Sequence, residues 1–278
     1  MNGLESIQAV VLDLDGTLLN SGKRVSANNL RAVLDCYDCG IHVIIATARP
    51  ARSVRLLLPA ELLALGCLIY YNGAHTVDSA YGVEDHIRLD SATTAALCDT
   101  VWALWPNRLV AFEADGEMYS NAALSMEQRG ILGLTDGAPL PAVLPLDAIR
   151  RLQPEKLLLT NETNLNIFPE LARNFAGRVQ LVLTDGERLI QIMSASVSKA
   201  AALGPVLRRR GLQPEHIMVF GDDYNDLELF ELCGYPVAME NAIADLKSRA
   251  AFITKSNDDD GVASVLDKLV KLRKPAVI

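Results

Sequence analysis

The sequence predicts an α/β fold: a Rossmann-like parallel-sheet core with helices on both faces, plus an inserted α+β unit. Apolar runs at residues 9–12, 41–46, 67–71, 217–220, 236–239 and 252–254 are short and β-branched. Asp, Gly or Asn bounds them, as expected of strands buried on both faces. Amphipathic stretches separate the runs, and that alternation specifies a parallel sheet covered by helices. Between His86 and Met193 the order changes to helix 91–105, strand 109–114, an irregular Gly-rich stretch, strand 156–160 and a helix through Phe175. Asp185-Gly186 then joins runs 179–183 and 188–193 as a hairpin signal. Residues 1–85 and 194–278 therefore read as the core, and 86–193 as the insertion.

Within the core, Ser26 is placed to cap a helix that ends near Cys39 and Gly40. Pro50 suits the first turn of a second helix that ends before Gly66. Residues 227–232 form a further helix, and the basic positions Lys268, Lys271, Arg273 and Lys274 read as a solvated helix face. Trp102 and Trp105 share a helical face and read as core.

Composition narrows the classes of function. The 278 residues carry 26 Lys and Arg against 34 Asp and Glu, a net charge of −8, which argues against nucleic acid as a partner. No apolar stretch approaches the ~18 residues of a membrane span, so no membrane partner is expected. The first residues lack the cationic start and apolar centre of a signal peptide. Five cysteines without framework spacing fit a reduced, cytoplasmic setting. Cys36 and Cys39 form a C-x-x-C with no second pair for zinc, and read as buried thiols. Asp258-Asp259-Asp260 lacks the glutamate of a calcium loop and is expected to cap the last helix. His75, His86 and His216 have no partner visible in the sequence.

Chemistry concentrates at the strand ends, where α/β sheets bind ligands. Asp13 and Asp15 leave the first strand two residues apart, which projects both carboxylates to one side, and Gly16 permits a tight turn. Like charges this close require a cation or a proton, and oxygen ligands favour a hard ion such as Mg²⁺. Gly221-Asp222-Asp223-Tyr224-Asn225-Asp226 ends another strand in a second carboxylate cluster. If the two strands are neighbours, Asp13, Asp15, Asp222 and Asp226 converge on one metal site. Thr47 and Ala48 lead from a strand into a helix, which suits an anion, and Lys199 opens another helix. These parts together match the needs of phosphoryl transfer.

Asp13-Leu14-Asp15-Gly16-Thr17, Thr47, Lys199 and the stretch from Gly221 to Asp226 resemble, in order, the four motifs of the haloacid dehalogenase superfamily. Tyr71-Asn72-Gly73-Ala74, residues 237–242, Lys247, Ala250 and residues 256–263 resemble the Cof-type subclass IIB sugar-phosphate phosphatases. Ala48 and Ala200 stand where that family often carries glycine. The resemblance implies that Asp13 is the nucleophile and that Asp15 is the acid and then the base. It implies Mg²⁺ on the Asp13 carboxylate, the Asp15 carbonyl and Asp222, with Asp226 in support. Thr47, the Ala48 N–H, Lys199 and Asn225 would hold the phosphoryl oxygens. As an acid, Asp15 should have a raised pKa. The insertion would be a cap that selects small phosphorylated metabolites, with Glu113, Asp115, Tyr119 and Glu187 as candidate contacts. A phosphomutase, or a phospho-accepting receiver module, are the alternative readings. A monomer or homodimer is expected.

Overall fold

The computed structural model describes residues 4–134, 139–160, 167–184 and 188–273. The chain first lays down β1 (Ala9–Leu12), α1 (Ala27–Asp38) and β2 (His42–Ala46). Helices α2 (Ala51–Leu57) and α3 (Ala60–Leu63) follow, then β3 (Cys67–Tyr70), β4 (His75–Asp78) and β5 (Val83–His86). The insertion contributes α4 (Ser91–Leu104), β6 (Val110–Ala114), β7 (Glu117–Ser120), α5 (Met126–Ile131) and β8 (Ala142–Val143). It continues through α6 (Leu146–Ile149), β9 (Lys156–Thr160), α7 (Phe168–Asn174), β10 (Val179–Thr184) and β11 (Leu189–Ser194). The chain then returns with α8 (Lys199–Arg210), β12 (Ile217–Gly221), α9 (Leu227–Leu232) and β13 (Tyr235–Ala238). It closes on α10 (Ala244–Arg249), β14 (Phe252–Ile253) and α11 (Gly261–Arg273).

Two compact units result: Met1–Asp85 with Ser198–Ile278, and His86–Val197. The sequence reading put the return to the core at residue 194. The second unit extends further because β11 stays paired with β10 through Ser194. In the first unit the sheet order is β14-β13-β12-β1-β2-β3-β4-β5. All neighbours from β14 to β3 run parallel, and β3 and β4 pair antiparallel. Every residue of β1, β3, β12 and β13 is buried, which explains their unbroken apolar character. Helix α1 packs on α11, and α9 on both α8 and α10. Strand β1 lies between β12 and β2, the place where chain connections diverge to opposite sides and ligands bind.

Local signals explain the helix ends. The Ser26 hydroxyl accepts from the Asn29 N–H at 3.0 Å, and Gly40 leaves α1 at a φ of 80°. The single helix expected between Pro50 and Gly66 is instead two short ones. Pro59 disfavours helical backbone at the residue before it, and Leu58 is extended, with a ψ of 139°. Pro50 itself caps α2 and does not enter its first turn. Cys36 is buried in α1 and burial pushes its thiol up to about 12, so it is inert at neutral pH. Cys39, read as buried, is only partly so, because it lies past the last turn of α1. Lys268, Lys271 and Arg273 lie on the exposed face of α11. Lys274 falls outside the described residues.

The second unit is a six-stranded sheet ordered β10-β11-β9-β6-β7-β8. All its pairs are antiparallel except β7 with β8. Side chains alternate between two faces. Val110, Phe112, Leu157, Leu159, Ile190 and Ile192 join Leu97, Val101 and Leu171 in the main core, against which Trp102 and Trp105 pack. Ala111, Met118, Leu158 and Leu189 form a smaller cluster with Ile131. The Gly-rich stretch read as irregular starts with a two-residue hairpin, in which Ala114 pairs with Glu117 around Asp115-Gly116. Both turn residues have positive φ, 54° and 81°. Strands β10 and β11 pair as the hairpin signal implies, while Asp185, Gly186 and Glu187 fall outside the described residues. No helix among the described residues is long and apolar enough to cross a membrane.

Candidate active site

The parallel register of β1 and β12 sets Leu12 beside Phe220, and the Asp13 N–H donates to the Phe220 carbonyl at 3.2 Å. Two glycines keep the loops that follow these strands close. Gly16, at a φ of 74°, faces the Asp222 carboxylate, which any Cβ there would strike. A Cβ on Gly221 would lie 2.6 Å from the Asp226 carboxyl carbon. The Thr17 hydroxyl donates to Asp222 Oδ1 at 3.1 Å. As a result, carboxylate oxygens of Asp13, Asp222 and Asp226 all lie within 4.8 Å of one another.

Lys199 enters this group from the N-terminus of α8, whose cap is the Ser198 hydroxyl accepting from the Ala201 N–H at 3.1 Å. Its ammonium donates to Asp13 Oδ1 at 2.6 Å and to Asp226 Oδ1 at 2.7 Å. Lys199 and Asp226 are fully buried and Asp13 nearly so. The other Asp226 oxygen accepts from the backbone N–H groups of Asp222 and Asp223 at 3.0 and 3.3 Å. Both Asp226 oxygens are thus engaged by the protein, which suits a supporting position.

Three carboxylates face one ammonium, so the cluster carries an excess of negative charge. Burial pushes the Asp13 carboxyl well above the usual range, against the pull of Lys199, and Asp226 and Asp222 add to the rise. Burial also lifts Asp222 to about 7, reinforced by Asp226. Burial opposes the charge on Lys199, but Asp13 and Asp226 together hold its pKa above the ordinary value. Buried, oxygen-only and short of positive charge, the donor set fits a hard divalent cation.

Asp15 departs from the expectation. Its carboxylate turns away from this cluster to Arg49, at 2.5 Å from Nε and 2.7 Å from Nη2, and to Lys23 Nζ at 2.7 Å. Burial would raise its pKa, but hydrogen bonds from Arg49 and then Lys23 outweigh it and the result is lowered. The raised pKa expected of an acid is therefore not a property of this arrangement. The reason lies in two cations that spacing along the chain did not bring to Asp15.

Thr47 directly follows β2 and is buried, with its N–H donating to the Ile69 carbonyl at 2.8 Å. Its hydroxyl oxygen accepts from the Arg49 N–H at 3.1 Å, and Ala48 lies between them at the entry to α2. Asn225 sits in the tight turn Tyr224–Asp226, and its Nδ2 donates to Asn72 Oδ1 at 3.0 Å. Arg49, Lys23, Asn72 and Thr17 are site residues to which the sequence reading assigned no role. A signal existed for two of them: Arg49 is the cation nearest Thr47 in its loop, and Asn72-Gly73 follows a buried strand.

Other candidates belong to other elements of the chain. Glu113 is buried in β6, and Asp115 is in the hairpin turn, 2.5 Å from Arg88. Tyr119, partly buried, packs against the main core of the second unit. Asp260 accepts from Ser26 and Asn28 at 2.5 and 2.6 Å, so its side chain grips the start of α1 where a cap on α11 was expected. Two histidines gain partners that the sequence concealed: His75 meets Glu84 at 2.9 Å, and His86 meets Glu155 at 2.7 Å.

The fold and the site define an α/β protein whose carboxylates and one buried lysine meet at the carboxyl ends of adjacent parallel strands. The chain belongs to the haloacid dehalogenase-like hydrolases, whose family profile matches residues 10–266. It is 29% identical to a 5-amino-6-(5-phospho-D-ribitylamino)uracil phosphatase of Bacillus subtilis, over 95% of this chain and 98% of that protein. The crystal structure of TM0651 from Thermotoga maritima is similar at a TM-score of 0.83 and 26% identity, covering 94% of this chain and 97% of that one. The HAD subclass IIB sugar phosphatase BT4131 shares the fold at a TM-score of 0.76 and 17% identity, over 94% and 98% of the two chains.

Proposed function

We propose that this protein is a Mg²⁺-dependent phosphatase of small phosphorylated metabolites, sugar phosphates foremost, working through an aspartyl-phosphate. The observation that carries the reading is Lys199, fully buried and bridging Asp13 and Asp226 beside Asp222. A buried cation with too many carboxylates is what an anionic electrophile and a divalent ion together would complete. Asp13, Asp222 and the Asp15 carbonyl would hold Mg²⁺, with Asp226 in support; Mg²⁺ would offset the charge of phosphate and carboxylate as they approach.

In this mechanism an oxygen of Asp13 attacks phosphorus and the ester P–O bond breaks. The departing alkoxide takes a proton from Asp15. Water then attacks the phosphoryl group, gives its proton to Asp15, and inorganic phosphate leaves with Asp13 restored. Thr47, the Ala48 N–H, Lys199 and Asn225 orient the phosphoryl oxygens. Asp15 must take up a proton while beside Arg49 and Lys23, and an anionic substrate gives both cations a competing partner. Likeness to the Bacillus phosphatase puts 5-amino-6-(5-phospho-D-ribitylamino)uracil among the compounds to test. The second unit is proposed as the specificity cap, and the functional form as a monomer or homodimer in the cytoplasm.

The test is a phosphate-release screen over phosphorylated sugars, nucleotides and cofactor precursors with Mg²⁺. Wild type should release phosphate from a subset, EDTA should stop it, and Asp13→Asn should reduce turnover by on the order of 10⁴-fold or more. Undiminished turnover by Asp13→Asn would overturn the mechanism. Accumulation of an isomeric phosphate without free phosphate would point to a mutase.

A further inference from the structure

Three consecutive residues after β3 adopt positive φ: Tyr71 at 50°, Asn72 at 57° and Gly73 at 107°. For a bulky side chain such as Tyr71 this is a rare conformation, and both Tyr71 and Asn72 are buried. Strain of this kind persists where surrounding contacts enforce it, and it concentrates at functional sites. Here the enforcing contacts come from the active-site loops themselves. The Tyr71 N–H donates to the Arg49 carbonyl at 3.2 Å, and the Asn72 N–H to the Thr47 carbonyl at 2.9 Å. Gly73 lies against the Ser198 carbonyl so closely that no Cβ would fit, and Ser198 caps the helix that carries Lys199. The turn therefore touches the segments bearing Thr47, Lys199 and, through the Asn72 side chain, Asn225.

We infer that Asn72 is a further residue of the phosphoryl site, orienting Asn225 through Oδ1 and presenting its Nδ2 to the transferring group. Asn72 is 7% exposed, and its Oδ1 is engaged by Asn225 at 3.0 Å. An amide whose oxygen is engaged still has its N–H donors to offer, and a phosphoryl oxygen held beside Thr47 and Asn225 is an acceptor suited to them. Asparagine suits both tasks, since one end accepts and the other donates, and it tolerates the left-handed backbone better than most residues. The inference rests on the phosphatase reading.

Two variants test it. Asn72→Gly keeps the backbone conformation and removes the amide, and Asn72→Asp keeps an acceptor for Asn225 but replaces the donor with a negative charge. Both are compared with wild type by Tm, by turnover of an aryl phosphate with Mg²⁺, and by inhibition with inorganic phosphate. Asn72→Gly should hold its Tm while the inhibition constant for phosphate rises roughly 10- to 100-fold, the scale of a hydrogen bond to a charged group. Asn72→Asp should be worse than Asn72→Gly, because it sets like charges together. Wild-type phosphate inhibition in either variant, with or without a fall in Tm, makes the turn purely architectural and overturns the proposal. Failure of the phosphatase reading is distinguishable, because wild type itself would then neither turn over the aryl phosphate nor bind phosphate.

Discussion

Two clusters of buried charge, one in each unit, are handled in opposite ways. In the second, Glu155 is almost fully buried but balanced locally: it receives His86 at 2.7 Å, Arg88 Nε at 3.0 Å and the Asp115 N–H at 3.2 Å. Lys156, also buried, donates a hydrogen bond to Gln191 at 2.7 Å across the sheet. In the first, Asp13, Asp222 and Asp226 crowd around one lysine, and burial lifts the first two above their ordinary range. Charge that closes on itself supports a fold, whereas charge left in excess at strand ends stores an affinity for something not part of the chain.

Substitutions on either side should break or sharpen that contrast. Lys199→Met removes the cation of the carboxylate cluster, and kcat should drop ~10²–10³-fold, as when a charge-stabilising donor is lost. Steady-state kinetics with excess Mg²⁺ read this out, and unchanged kcat would contradict the role given to Lys199.

The surplus carboxylates should also register in stability. Asp222 has a raised pKa, so the folded state binds protons that the unfolded state releases. Its contribution to metal-free stability is therefore present near pH 4 and declines as pH rises through about 7. Mg²⁺ should reverse this, adding about 2.7 kcal/mol at a hundredfold excess over Kd, and adding more at pH 8 than at pH 5.5. Thermal melts with and without Mg²⁺ test the point, with Asp222→Asn expected to reduce the pH-dependent difference while Asp13 keeps its share.

The second unit should respond differently. Glu155→Gln should cost about 2 kcal/mol, less than the roughly 3–5 of a fully buried pair because Arg88 is partly solvated. Turnover of an aryl phosphate should change less than about threefold, which urea denaturation and kinetics on one preparation can establish. Smallest of all is Ser125→Ala in the capping box of α5, where the Ser125 hydroxyl accepts from the Gln128 N–H at 3.2 Å. A loss of about 1 kcal/mol with no kinetic change is expected.

Reading the first unit from sequence works where local pattern and burial coincide. Strand β1 falls on residues 9–12 and helix α9 on 227–232, as their periodicity indicates. Strands β4 and β5 escape such a reading because their residues are polar for strands of this sheet, and β5 is largely exposed. Asp115-Gly116 shows a different failure: the hairpin signal is present, but the glycines that follow mask it. At the site, residues with a motif around them are legible. Lys23 carries no such mark, and for Arg49 and Asn72 the sequence marks the place but not the partner, since Asp15 and Asn225 are brought to them by the fold.

The order of residues alone determined the chemistry available to this protein: buried strands ending in paired aspartates, a lysine opening a helix, and glycines where two loops must touch. Those follow from side-chain period, capping and backbone freedom, which are local. Which charge meets which was decided only by the tertiary structure. The parallel register of β1 and β12 sets Asp13 near Asp222, α8 delivers Lys199 between two carboxylates, and Arg49 turns Asp15 aside. Electrostatic energy depends on distance and burial in space, and neither quantity is written in the separation of residues along a chain.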